Sequence, residues 1–199
     1  MIKIFYKNKF ILLSEKPSDN SITKINFSDK EILKKELNIF LDTNNSESIN
    51  IFNICEDQHL DFYTGHFKFI QAAGGIVTNA NDELLLIKRL GFTDLPKGKV
   101  EKNEIIIDCA AREVSEECGI ELKDLSNFDF FDFTFHIYPY KNQYALKETS
   151  WFKMTFTKDY DLKPQTEEDI SEVFWVNKIN LKDYFENMYP ELIELMEKY

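Results

Sequence analysis

The chain of 199 residues is poor in the residues that staple or interrupt a fold, with three cysteines, five prolines and six glycines. Cys55, Cys109 and Cys118 are odd in number, and the last two share one predicted helix, too far apart along it to bridge. That argues against a disulfide framework and favours a reducing, cytoplasmic setting. No hydrophobic run is long enough to span a membrane, and the opening MIKIFYKNKFILLSE is broken by lysines short of signal-peptide length. Basic residues are outnumbered, 24 Lys and Arg against 35 Asp and Glu, for a net charge of −11. Residues 1–68 are nearly balanced, nine bases to ten acids, whereas the remainder carries fifteen to twenty-five. An acidic half repels nucleic-acid polymers, whose binding rests on basic side chains, so the expected partner is a small phosphorylated molecule. No phosphate-binding P-loop, nucleophile elbow or dinucleotide fingerprint is present. His59, His66 and His136 are scattered, and Cys55 with His59 lacks the second pair a zinc site needs.

What the chain has in quantity is core. Hydrophobic residues make up 43% and aromatics 15%, including 18 phenylalanines, enough to rule out general disorder. Residues 2–6 and 9–13 predict a hairpin around Lys7-Asn8, and 14–27 a loop. Ser28 is placed to cap a helix over about 29–41, with Glu31 in the capping-box position; the polar run 42–46 ends it. Ser48–Cys55 predicts another strand, closing a small α+β unit over residues 1–67. From Phe67 the pattern changes. A second hairpin is predicted over 69–78 and 83–89, with Gly74-Gly75 marking a bulge or a close backbone approach. Residues 128–138 and 149–157 alternate, putting Phe131, Phe133, Phe135 and Ile137 on one side, and Phe152, Met154 and Phe156 opposite Trp151. Residues 171–176 are a last strand, and Asn180 a candidate cap for a helical tail broken near Pro190.

One stretch carries chemistry: Gly98 to Ile120, GKVEKNEIIIDCAAREVSEECGI. Over a helix at 107–118, Ile107, Ala110, Ala111, Val114 and Cys118 form an apolar stripe. Glu113, Glu116 and Glu117 are spaced by three and four residues, so they share a second face at the rim of that stripe. A charged helix face is ordinarily just solvated. Here Arg112 is the one base interleaved among the acids, so the face is not neutralised internally. Clustered carboxylates repel one another less with a cation between them, and hard oxygen ligands suit magnesium or manganese. Arg112 offers a fork of donors that can orient a carboxylate. Lys97 and Lys99 flank Gly98 as point charges suited to phosphate, with Arg89 a further candidate substrate contact.

The spacing of Gly98, Glu104, Arg112, Glu113, Val114, Glu116, Glu117, Gly119 and Ile120 resembles the signature of the Nudix hydrolases, G-x5-E-x7-R-E-U-x-E-E-x-G-U with U aliphatic. The resemblance covers about residues 68–199 and implies an α/β/α sandwich with a mixed sheet, preceded by the small N-terminal unit. It implies a magnesium- or manganese-dependent pyrophosphohydrolase. Glu113, Glu116 and Glu117 match the metal-binding positions, which the Gly98 carbonyl often joins. Glu104 and Arg112 match positions that pair with or orient those ligands. A further acid often comes from a late loop, where Glu167 and Glu168 are the candidates. The run Leu95-Pro96-Lys97-Gly98-Lys99 looks like the version in enzymes acting on dinucleoside or diphosphoinositol polyphosphates. Tyr138, eighteen residues beyond the box, matches a tyrosine recurrent in the dinucleoside group.

The expected reaction is hydrolysis of a nucleoside diphosphate linked to another moiety, with a diadenosine polyphosphate ahead of nucleoside triphosphates and nucleotide sugars. One of Glu113, Glu116, Glu117 or the loop pair would act as general base. The competing class is a non-catalytic nucleotide sensor signalling through residues 1–67. That segment could instead serve in homodimerisation or substrate gating; it has no helix-turn-helix and no basic stripe.

Overall fold

The structure, a computed structural model, describes residues 1–18, 22–42 and 46–199. In chain order it contains β1 (Ile2–Tyr6), β2 (Lys9–Ser14), β3 (Thr23–Asn26), α1 (Lys30–Leu41), β4 (Ile49–Phe52), α2 (His59–His66) and β5 (Lys68–Thr78). There follow β6 (Glu83–Arg89), β7 (Phe92–Asp94), β8 (Lys97–Lys99), α3 (Ile106–Cys118), β9 (Leu125–Tyr140), β10 (Gln143–Phe156), β11 (Ile170–Asn177) and α4 (Pro190–Lys198). The chain divides into two compact units, one of residues 1–70 with 135–147 and another of 71–134 with 148–199.

In the first unit, β1 and β2 pair antiparallel through a turn in which Lys7 has φ 56°. Parallel β4 joins β2, and β3 joins β4. The far end of β9 pairs with β1 in parallel, Ile4 opposite Phe135. The buried faces of these strands, with Leu33, Leu37 and Phe40 of α1 and Phe62 and Tyr63 of α2, form one core. Several details differ from the sequence expectation. Strand β3 lies inside the expected loop, because Ile25 alone of its residues points into the core and leaves no alternating pattern to read. Helix α2 was unforeseen, its apolar residues following no helical stripe. The cap of α1 is Asp29, whose carboxylate accepts from the Ile32 N–H at 3.2 Å, while Ser28 donates to the Asn26 side chain. Asp19, Asn20 and residues 43–45, on which part of the loop and helix-stop reading rests, lie outside the described residues.

In the second unit the strand order is β11-β6-β5-β10-β9, with β7 alongside β6 and β8 alongside β5. Helix α3 covers one face. Its Cys109, Ala110, Val114 and Cys118 pack on Ala73, Val77, Leu85, Ile87, Phe152, Met154 and Phe156. The other face, with Ile76, Leu84, Leu86 and Trp151, is covered by Leu192, Leu195 and Met196 of α4. This is a sheet between helical layers, the α/β/α sandwich expected, and β10 splits its even and odd residues between the two cores as expected. Burial of Val114 contributes about 1.5–3 kcal/mol, and with Ala110, Cys109 and Cys118 on the same stripe it fixes the rotation of α3 and hence where its glutamates point. Gly75 permits the close approach of β5 to α3, because a Cβ there would collide with a Val114 methyl. Phe133 departs from expectation: it is 43% exposed and packs against exposed Phe130, off the buried side. In the tail, Asn177 rather than Asn180 is the cap, its side-chain Oδ1 accepting from the Ile179 N–H, and it opens a 3-10 segment over 178–187 before α4. No helix among the described residues is long and apolar enough to cross a membrane.

Candidate active site

The site grows from a short extended segment laid beside a helix. Strand β8 pairs with β5, setting Gly98 opposite Ala73. Gly98 in turn faces α3 so closely that a side chain there would overlap the Glu113 carboxyl group. The buried stripe of α3 turns Glu113 and Glu117 inward, 8% and 0% exposed, and leaves Glu116 at the rim with its side chain 49% exposed.

Arg112 organises one side of the cluster. Its guanidinium donates to Glu104 at 2.7 and 3.0 Å, to Glu113 at 2.8 Å and to Glu116 at 3.0 Å, and also to the Lys99 carbonyl at 3.2 Å. Glu104 is held further by the Glu101 N–H at 2.8 Å. The forked pairing with Arg112 pulls the Glu104 carboxyl down to about 2. Arg112 is itself shifted upward, chiefly by that same bond. Burial raises Glu113, and the adjacent Arg112 charge opposes the rise without cancelling it.

Glu117 is enclosed on the other side. It accepts from the Lys97 N–H at 2.9 Å and from Arg89 at 3.4 Å. Burial nonetheless outweighs both cations and raises its carboxyl to about 7. The Lys97 ammonium does not reach it. That group pairs with Asp94, a buried acid whose other oxygen accepts from the Leu95 N–H at 2.7 Å. Nothing at the sequence level marked Asp94; only the β6–β7 pairing, Ile87 opposite Asp94, turns it inward.

Arg89 ties in the late loop, donating to Glu168 at 2.9 Å. The loop is anchored by the end of α3. Gly119 takes the left-handed conformation, φ 68°, which frees the Cys118 and Glu117 carbonyls to accept from Lys163 N–H at 3.0 Å and Gln165 N–H at 3.2 Å. Of the expected residues, the structure thus brings together Arg89, Lys97, Gly98, Lys99, Glu104, Arg112, Glu113, Glu116, Glu117 and Glu168. Glu167 is exposed. Tyr138 belongs to the first unit, where its ring neighbours those of His136 and Tyr140.

The donor set suits a hard divalent cation. Glu113 and Glu117 are carboxylates with raised proton affinity, the condition in which a cation replaces a proton to advantage. Among the described residues no group of three or more His, Cys, Asp or Glu side chains is gathered as a ready-made cage. Magnesium needs none, since it is held by one or two carboxylates together with waters and substrate phosphates.

A model of the NUDIX domain matches residues 68–198. The chain belongs to the Nudix family. It is 27% identical over 151 residues to the mRNA-decapping enzyme subunit 2 of Saccharomyces cerevisiae, a match covering 73% of this chain and 15% of that protein. The chain therefore spans only a small part of that relative. With the RNA pyrophosphohydrolase of Pelagibacter ubique it shares 27% identity over 123 residues, covering 55% of this chain and 77% of that one. An Ap4A hydrolase from C. elegans superposes with a TM-score of 0.51 at 20% identity, over 65% of this chain and 93% of that one. RenU of M. smegmatis, a Nudix hydrolase, superposes with a TM-score of 0.51 at 15% identity, covering 66% and 84%. Both establish the Nudix fold.

Proposed function

We propose that the chain is a magnesium- or manganese-dependent pyrophosphohydrolase acting on a nucleoside diphosphate linked to another moiety. The observation that carries this reading is the pairing of Glu113 with Gly98 beside a fully buried Glu117: two inward carboxylates with raised proton affinity, on one helix, in a Nudix domain. Glu113, Glu116, Glu117 and the Gly98 carbonyl are the groups that would hold the metal. When bound, a divalent ion supplies charge neutralisation for the phosphates and lowers the pKa of a water.

The protein's own residues do the rest. Arg112 holds Glu113 and Glu116 in one orientation. Lys99 adds positive charge beside Gly98 for an anionic substrate, while the Lys97 ammonium is held by Asp94 and its N–H orients Glu117. A carboxylate would take the proton of the attacking water; of the candidates Glu113, Glu116, Glu117 and Glu168, the half-exposed side chains of Glu116 and Glu168 support that role for one of those two. Positioning and electrostatics then supply most of the rate, as in other phosphoryl transfers.

Diadenosine polyphosphates remain the leading substrates, favoured by the Leu95–Lys99 run. The curated relatives supply a second reading: both are named for RNA, so a 5′-phosphorylated or capped RNA end is a candidate. The acidic second half, fifteen bases to twenty-five acids, favours the small substrate. Three free cysteines accord with a cytoplasmic setting. A chromatographic product screen with magnesium and with manganese, over nucleotides with a phosphoanhydride plus triphosphorylated and capped RNA, decides. Hydrolysis of at least one member supports the enzyme. Binding without turnover across the panel would make this a nucleotide sensor.

A further inference from the structure

Strands β6 and β7 are joined by Leu90 and Gly91, both in the left-handed region at φ 51° and 85°. Two positive φ values make a type I′ hairpin, which Asn-Gly or Gly-Gly adopts with little strain and leucine does not. The turn is pinned where it is, because the Leu90 N–H donates to the Asp169 carbonyl at 3.3 Å. A strained turn carrying two exposed apolar side chains, Leu90 at 67% and Phe92 at 43%, calls for a reason other than packing.

The register shows what lies beside it. Phe92 is directly opposite Arg89, so the two side chains leave the sheet on the same face. Arg89 contacts both Glu117 and Glu168. The face is that of α3, since Ile87, two residues before Arg89, packs in the α3 core. Phe92 is already half of a stack: the Tyr189 ring lies 4.9 Å away, inclined by 21°. Tyr189 senses the same charges as the site, being shifted upward by burial and then by Asp94, against Lys97 and Arg89. An aromatic pair with solvent-reaching ring surface thus stands next to the residues that hold Glu117.

We propose that Phe92 and Tyr189 are the platform on which the substrate's nucleobase stacks, its phosphates lying toward Lys97 and the glutamates of α3. The proposal rests on the pyrophosphohydrolase reading and adds to it the side chains that hold the nucleobase. A third ring continues the existing stack, and every base has a face to offer, so selectivity is for aromaticity rather than for one base.

The test is calorimetry of the full chain with magnesium, comparing ADP with inorganic pyrophosphate, for the wild type, Phe92→Leu and Phe92→Tyr. Leucine keeps the apolar volume, so the fold is not at issue, and thermal melting verifies it. The expected result is that Phe92→Leu weakens ADP about tenfold, the scale of one base–aromatic stack, leaves pyrophosphate unchanged, and is rescued by tyrosine. Equal loss for both ligands, or none for ADP, would overturn the platform while leaving hydrolysis by the wild type intact as support for the enzyme. A change in oligomeric state without change in ADP affinity would assign the patch to protein contact and also overturn it. Failure of the wild type both to bind either ligand and to cleave any phosphoanhydride would sink the enzyme reading and the platform with it.

Discussion

The Cα of Gly98 lies against the carboxyl group of Glu113, with no room between them for a methyl group. The obstacle is the far end of a flexible side chain, which can swing away. Gly98→Ala is therefore expected to fold with nearly unchanged thermal stability and to lose activity about a hundredfold, because Glu113 is displaced. Gly75 is the contrasting case: its missing Cβ meets Val114 and Met154 in the core. Gly75→Ala should destabilise by about 1–3 kcal/mol. Melting curves and initial rates on the two variants separate the two kinds of glycine.

Glu117 makes the metal-free protein pH-sensitive. Its carboxyl sits at about 7 in the folded chain against an ordinary value of 4.5. Between those values the native state holds more protons than the unfolded state, so stability falls as pH rises through the window. The full difference is on the order of 3 kcal/mol, at 1.36 kcal/mol per unit. With a chelator present, denaturant midpoints should drop from pH 5 to pH 8, and Glu117→Gln should flatten that drop. Added magnesium should restore stability at pH 8 in the wild type and less so in the variant. Glu104 has the opposite sign: held at about 2 by Arg112, it contributes stability above the ordinary carboxyl range that is lost as pH falls toward 2.

Arg112 binds Glu104, Glu113, Glu116 and the Lys99 carbonyl at once. Lysine keeps the charge and loses the planar fork. Arg112→Lys should cost about 1–3 kcal/mol in stability and lower kcat at least tenfold, with Glu104 titrating closer to its ordinary value. Carbon-13 NMR of the glutamate carboxyls follows that titration directly.

Away from the chemistry, the Trp151 indole N–H donates to Thr134 Oγ1 at 2.9 Å in a buried setting. Thr134→Val preserves shape and orphans the donor, at a cost of about 1–3 kcal/mol. Urea denaturation measures it, and hydrolysis rates below the transition should hold.

The second unit was largely legible in the sequence. Its helix α3 carries an apolar stripe and a carboxylate face at the same periodicity, and the stripe alone fixes where Glu113 and Glu117 point. The even-odd split of Phe152 and Trp151 between two cores was likewise written in the alternation of β10. What failed to show were contacts made by pairing. Asp94 and Phe92 gain meaning only from their partners across β6, Ile87 and Arg89. Asp29 and Ser28 are equally good caps on paper, and the choice fell to the residue next to the first turn. Helix α2 has no stripe, since it is held by Phe62 and Tyr63, neighbours in sequence, and not by one repeating face.

In the proposed reaction, carboxylates of α3 act with a divalent cation to cleave a phosphoanhydride. Rates of product release from the best substrate of the panel, measured with magnesium for the wild type and for a folded Glu113→Gln/Glu117→Gln double variant, test it most directly. The expected result is a loss of at least a thousandfold in the double variant, with neither protein active in chelator. A double variant that turned over at the wild-type rate, or a wild type indifferent to chelation, would contradict it.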